Sequence, residues 1–329
     1  MHNQKALERG AAYSVKYPNT FWITAQDSTG QPLQFSGVRI NDWYGLTAAH
    51  GFRYQDQVYS NHTIGTGSNL LTDKGRTFGV SRVWIHPDWT REVEGNSVDL
   101  AIVRFDSPWR GEEVAIGSAA EGDRLTCIGF GLPATSLDGE LPYDGERRAF
   151  QFPFEGYGST LGALGRSILD LGDGYLRGRY YPFGYSGHLP LGGLAGPGCS
   201  GAGVWNQNGE VVGVCSIVPF FPLDFASMYA QRLDVHADWI NSIAFSTPAQ
   251  ERTQMRAPLP TRNVGYADPQ NESRRNRADR QGRSPQPPRC LSGHIENNHG
   301  HRGLWWSMVP FAVITILLLS RSLMPIKAS

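Results

Sequence analysis

Ser200 lies in the run Gly196-Pro197-Gly198-Cys199-Ser200-Gly201-Ala202-Gly203-Val204-Trp205, a serine set among glycines and alanine that lead into an apolar strand. Small residues let a backbone turn tightly and expose the serine hydroxyl. They also leave the N–H groups of Gly198 and Ser200 free to converge on one point, as an oxyanion hole requires. Taken alone, a Gly-Ser run is usually a plain loop. Two further stretches add to it. Leu46-Thr47-Ala48-Ala49-His50 supplies a histidine, and Ser97-Val98-Asp99 supplies a carboxylate at the mouth of the nearly continuous apolar run Leu100 to Phe105. A carboxylate at such a boundary can be buried yet hydrogen-bonded, holding an imidazole in one tautomer. Hydroxyl, imidazole and carboxylate together are the parts of nucleophilic acyl transfer.

These three stretches resemble the trypsin/chymotrypsin-like serine peptidase family. The order histidine, aspartate, serine is the family's. So is the scale, with 49 residues from His50 to Asp99 and 101 more to Ser200. The resemblance implies an all-β fold of two antiparallel six-stranded β-barrels (chymotrypsin-like), closed by a C-terminal helix. It implies a serine endopeptidase with His50, Asp99 and Ser200 as catalytic residues and the N–H groups of Gly198 and Ser200 as the oxyanion hole. The expected partner is a polypeptide substrate, and neither a metal nor an organic cofactor is implied. Ser216, in Val211-Val212-Gly213-Val214-Cys215-Ser216, lies on the strand that forms one wall of the family's primary pocket and falls where the family's serine hydrogen-bonds the aspartate. Leu194, six residues before Ser200, falls at the base of the primary pocket, with walls near Val218 and Ser227. An uncharged base implies an uncharged, apolar side chain before the scissile bond, because burying a cation without a partner is costly.

The chain departs from the family at two places. Cys199 stands where trypsin-like zymogens carry the aspartate that pairs with a newly cut N-terminus, so that activation switch is missing. Cys199 is also a rival nucleophile, as in some viral relatives. In both variants the nucleophile is followed directly by glycine, which Ser200-Gly201 satisfies and Cys199-Ser200 does not. A non-catalytic binding module on the same fold is the remaining alternative.

The elements that must position these residues follow in order. Residues 1–16 form a polar N-terminal extension, expected to be loosely ordered to about residue 14. The peptidase-like domain spans 17–245. Its strand-like segments include Phe21–Ala25 and the hairpin through Asn41-Asp42-Trp43 that delivers His50. Phe78–Ile85 is a longer strand ending in His86-Pro87-Asp88-Trp89, where His86 and Asp88 read as structural and His86 as solvated. Asp106, before Ser107-Pro108, reads as a turn residue. By the resemblance, residues 107–122 are expected to cross between barrels, and Leu125–Gly131 resembles the Gly-Trp-Gly strand that opens the family's second barrel. Val235, Trp239, Ile240 and Ile243 keep near-helical spacing, giving a closing helix one apolar face.

Composition agrees with many short strands: 39 of 329 residues are glycine and only 18% are charged. Net charge is zero, so the whole-chain balance implies no nucleic-acid partner. The four cysteines, Cys127, Cys199, Cys215 and Cys290, lack paired spacing, and Gly51 after His50 precludes the family's bridge at that site, which reads as a reduced compartment or as a lineage that never used bridges. Residues 1–8 have no apolar core suited to a secretory signal. Residues 246–303 hold ten arginines, no lysine, five acids and many Pro, Asn and Gln, the composition of a disordered linker. Residues 304–320 follow as an apolar run with Trp305 and Trp306 at its start, and 321–329 as a short tail. A bilayer core needs about 20 helical residues, with a lower limit near 17. The expectation is a single transmembrane helix, and a tail-anchored protein with its peptidase domain in the cytosol.

Overall fold

In the computed structural model, described residues are 4–245 apart from 94, 135–142, 159–170, 180, 182–185, 187–188, 192–193 and 218–226. The chain opens with helix α1 (Gln4–Ser14) and continues through β1 (Thr20–Gln26), β2 (Pro32–Arg39) and β3 (Tyr44–Thr47). A single helical turn, Ala49–Gly51, is followed by the small hairpin β4 (Arg53–Tyr54) and β5 (Gln57–Val58). Then come β6 (Ser60–Gly65), β7 (Thr77–Ile85) and β8 (Ala101–Phe105). The second half holds β9 (Arg124–Gly129), β10 (Pro133–Ala134), β11 (Arg148–Tyr157) and β12 (Tyr175–Arg179). It ends with β13 (Leu194–Ala195), β14 (Gly203–Trp205), β15 (Val211–Ile217), β16 (Ser227–Arg232) and helix α2 (Ala237–Ala244). Strands β1-β2-β3-β8-β7-β6 close one barrel and β11-β12-β16-β15-β14-β9 close another, all antiparallel. The expected pair of six-stranded barrels with a C-terminal helix is present.

Alternation along the strands explains why the pattern closes this way. In β8, Ala101, Val103 and Phe105 face the first barrel's interior with Phe21, Ile23, Phe35 and Phe78. Leu100, just before β8, and Ile102 face the other way, into a core shared with Ile128, Trp205 and Val214 of the second barrel and Ile240 and Ile243 of α2. With both faces buried, the strand reads as a continuous apolar run rather than an alternating one. The second barrel is filled by Leu125, Phe150, Phe152, Leu176, Val204 and Met228 among others. The crossover between barrels is pinned by Arg39, which is wholly buried in β2. Its guanidinium donates to Asn19 Oδ1 at 2.9 Å, to the Trp109 carbonyl at 3.3 Å and, over a short contact, to the Glu112 carbonyl.

The N-terminal extension differs from expectation. Residues 4–14 are not loose; they form α1, packed along β11. Ala6 and Leu7 are buried, Ser14 Oγ donates to the Arg147 carbonyl at 3.1 Å, and Tyr17 packs on Trp205 with ring centroids 5.0 Å apart. A mostly polar segment hides its few apolar contacts from a composition-based reading. The linker 246–303, the proposed membrane helix 304–320 and the tail 321–329 lie outside the described residues. Among the described residues, no helix is long and apolar enough to cross a membrane.

Candidate active site

His50 occupies the helical turn directly after β3 and is 9% exposed. Ala48 and Ala49 are wholly buried, and their small side chains let that turn tuck against the first barrel's core. Asp99 is wholly buried just ahead of β8. Its Oδ1 accepts the His50 backbone N–H at 2.9 Å, and its Oδ2 lies 2.7 Å from His50 Nδ1. Oδ2 also accepts from Ser216 Oγ at 2.5 Å. Burial alone would raise the Asp99 pKa, but the His50 imidazole and the hydrogen bonds from His50 and Ser216 outweigh it. The carboxyl is held below its ordinary value, ionised at neutral pH. In the neutral imidazole the carboxylate holds the proton on His50 Nδ1, which leaves Nε2 as the basic nitrogen.

The Ser200 loop is latched to both barrels. The Ser200 carbonyl accepts the Ser36 N–H at 2.7 Å, and Gly201 donates to the Cys215 carbonyl at 2.7 Å. Gly201 has φ +84°, and a Cβ placed there would lie 2.2 Å from Thr47 Oγ1 and 3.0 Å from Ala48 N. The residue after Ser200 thus abuts the segment that leads into His50. Two pinned carbonyls orient the turn: Pro197 O accepts from Leu132 at 2.8 Å, and Cys199 O from Ala202 at 2.9 Å. In a planar trans peptide the N–H points opposite its carbonyl, so the N–H groups of Gly198 and Ser200 face away from these contacts. Neither donates a hydrogen bond among the described residues. The positive φ of Gly198, +95°, is what the turn requires of that position.

The other sequence-based expectations fall as follows. Ser216 reaches Asp99 as expected. Leu194 lies in β13, its backbone opposite Ala134, and Ser227 opens β16 opposite Arg179. Val218 lies outside the described residues. Cys199 is wholly buried, its Sγ against Gly131, and burial pushes its thiol pKa far up, which opposes the thiolate a nucleophile needs. Cys127, Cys199 and Cys215 are free thiols. Asp106 is exposed, its Oδ2 accepting the Gly79 N–H at 2.9 Å, a turn role as expected. His86 is not solvated: it is 6% exposed, with ring centroids 4.7 Å from both His236 and Trp239. The burial comes from α2 folding back over the Pro87 turn, a contact between residues some 150 apart in sequence.

Two residues near Asp99 have no counterpart in the sequence reading. Gln231 Oε1 accepts the Asp99 backbone N–H at 3.1 Å, and Tyr175 Oη donates to the Ser97 carbonyl at 2.8 Å. The single polar side chain in the buried stretch Met228-Tyr229-Ala230-Gln231 was the one available signal for the first.

The profile of the trypsin-like peptidase domain matches residues 35–214, more than half of the chain, a span that holds His50, Asp99 and the Ser200 turn. The chain belongs to that family. Among solved structures, this peptidase domain is similar to the scabies mite inactivated protease paralogue S-I1. The identity is 19%, the match covers 70% of this chain and 95% of the mite protein, and the TM-score is 0.51. That likeness is one of fold. No curated protein sequence matches the chain.

Proposed function

We propose that the protein is a serine endopeptidase that cleaves polypeptides through an acyl-enzyme. The observation that carries this reading is the buried, ionised Asp99 holding His50 Nδ1 at 2.7 Å beside the Ser200 turn. In the first step Ser200 Oγ attacks the scissile carbonyl while His50 Nε2 takes the hydroxyl proton. The carbonyl electrons move to the oxyanion, which the N–H groups of Gly198 and Ser200 stabilise. His50 then gives its proton to the leaving amine as the C–N bond breaks, and water repeats the sequence to release the acid. Asp99 stabilises the imidazolium formed at each proton transfer. Losing one oxyanion donor typically costs about 10²–10³ in rate. Leu194, Ser216, Val218 and Ser227 are assigned to the primary pocket, with preference for an apolar residue before the scissile bond.

Wild-type protein is expected to react covalently with a fluorophosphonate probe, and Ser200→Ala and His50→Ala to lose that reaction while staying folded. A folded wild-type chain that never labels would instead support a non-catalytic binding module; the mite paralogue is likewise named an inactivated protease. Residues 304–320 are assigned as a membrane anchor on their uncharged run and leading tryptophans. The full chain should then resist alkaline carbonate extraction, and release as a soluble protein would remove the anchor and the tail-anchored cytosolic arrangement with it.

A further inference from the structure

Gln231 is wholly buried in β16, yet it meets three polar groups from three parts of the chain. Its Oε1 accepts the Asp99 N–H at 3.1 Å, its Nε2 donates to the Gly174 carbonyl at 2.9 Å, and Nε2 also lies 3.0 Å from His236 Nε2. The amide has only one orientation that satisfies all three. The Asp99 N–H must meet an oxygen, and the Gly174 carbonyl must meet an N–H. The remaining amide hydrogen then points at His236, whose Nε2 must present a lone pair, placing the His236 proton on Nδ1.

We infer that Gln231 is a positioning residue for the catalytic aspartate, and that neutral His236 locks it in the orientation that holds the Asp99 backbone. The inference rests on the peptidase reading of Asp99 and adds a residue to it. Protonating His236 would turn Nε2 into a donor facing the Gln231 NH₂. Gln231 could relieve that only by turning its amide over, which would set NH₂ against the Asp99 N–H. One proton on His236 thus withdraws the acceptor from Asp99, some distance from the reacting atoms.

The surroundings of His236 keep it neutral at ordinary pH. From the Pro87 turn, the His86 ring stands 4.7 Å away and Asp88 faces the same site. Beside it in sequence, Arg232 and Asp234 are paired with one another at 2.6 Å. Burial is the largest influence and lowers the His236 pKa to about 4; His86 and Arg232 act in the same direction, and Asp88 and Asp234 against it.

Gln231→Leu fills similar volume and removes all three contacts. In a folded Gln231→Leu protein, the saturating rate of fluorophosphonate labelling should fall about tenfold to a hundredfold, the range expected when a catalytic group shifts by roughly 1 Å. The half-saturating probe concentration should stay within about twofold. An unchanged saturating rate, or a change confined to half-saturation, overturns the role. His236→Phe alters a half-buried ring and supplies the second measurement, the low-field proton NMR resonance of His50 Nδ1–H. In wild type this resonance should be lost as pH falls through about 4, and in His236→Phe it should persist to lower pH. Equal midpoints overturn the lock whether or not Gln231→Leu folds. The resonance needs no turnover, so a wild-type chain that fails to label refutes the peptidase reading without deciding this one.

Discussion

Replacing Gly201 by alanine tests whether the Ser200 turn is held to the His50 segment as tightly as the packing implies. A Cβ at this position would fall 2.1 Å from the Ser36 carbonyl oxygen and 2.2 Å from Thr47 Oγ1. Real Cβ contacts essentially never come inside 3.0 Å, so the turn must retreat by the difference from 2.1 Å, about 0.9 Å. The obstruction cannot swing aside, because Ser36 O is backbone and accepts from Thr47 Oγ1 at 2.7 Å. Alanine at φ +84° adds about 1–2 kcal/mol of backbone strain. A displacement near 1 Å between nucleophile and base costs on the order of a hundredfold in rate. Gly201→Ala should therefore lose about two orders of magnitude in fluorophosphonate labelling, with a lowered unfolding temperature. The assay is stopped-time labelling resolved by gel, with thermal unfolding by circular dichroism alongside. Wild-type labelling and wild-type melting together would show that Gly201 does not press on Ser36 and Thr47, and the latch between the two segments would have to be abandoned.

Other perturbations give separable outcomes. Ser216→Ala removes one of three hydrogen bonds to buried Asp99 and should cost about 1.5–3 kcal/mol; because the lowered Asp99 pKa stabilises above its unfolded value and that stability is lost as pH falls through the folded one, the acid-unfolding midpoint should move to higher pH, and an unmoved midpoint would remove this role. For His236 the sign is that of a histidine kept neutral: the unfolded chain takes the proton first, so stability should decline from about pH 6.5 to about pH 4, and denaturant titrations of His236→Phe should show a flatter slope across that window. Cys199→Ser should retain most fluorophosphonate labelling, its thiol being buried with a pKa pushed far up; a folded but unreactive Cys199→Ser beside a reactive Ser200→Ala would reverse the assignment of the nucleophile.

How much of the site could be read beforehand depended on the range of the interactions involved. The small residues around Ser200, the alanines before His50 and the apolar run after Asp99 are local requirements, and each constrains its own few residues. Their order and spacing carry the resemblance to a family whose fold is two barrels, and a carboxylate at a strand boundary is a group that can be buried yet hydrogen-bonded to an imidazole. The resemblance marked Ser216, and near-helical spacing of apolar residues marked the closing helix. What stayed hidden depended on pairs far apart in the chain. Gln231 meets Asp99 across 132 residues, and Ser36 meets Ser200 through backbone atoms that carry no side-chain signature. His86 is buried only because α2 returns over it, and α1 is ordered by a surface that β11 supplies. Sequence determined which groups could do the chemistry, because residue type and local backbone preference are properties of short segments. Only the closed barrels decided how those groups are held and tuned, because hydrogen-bond partners and burial are set by segments that meet after the chain has folded.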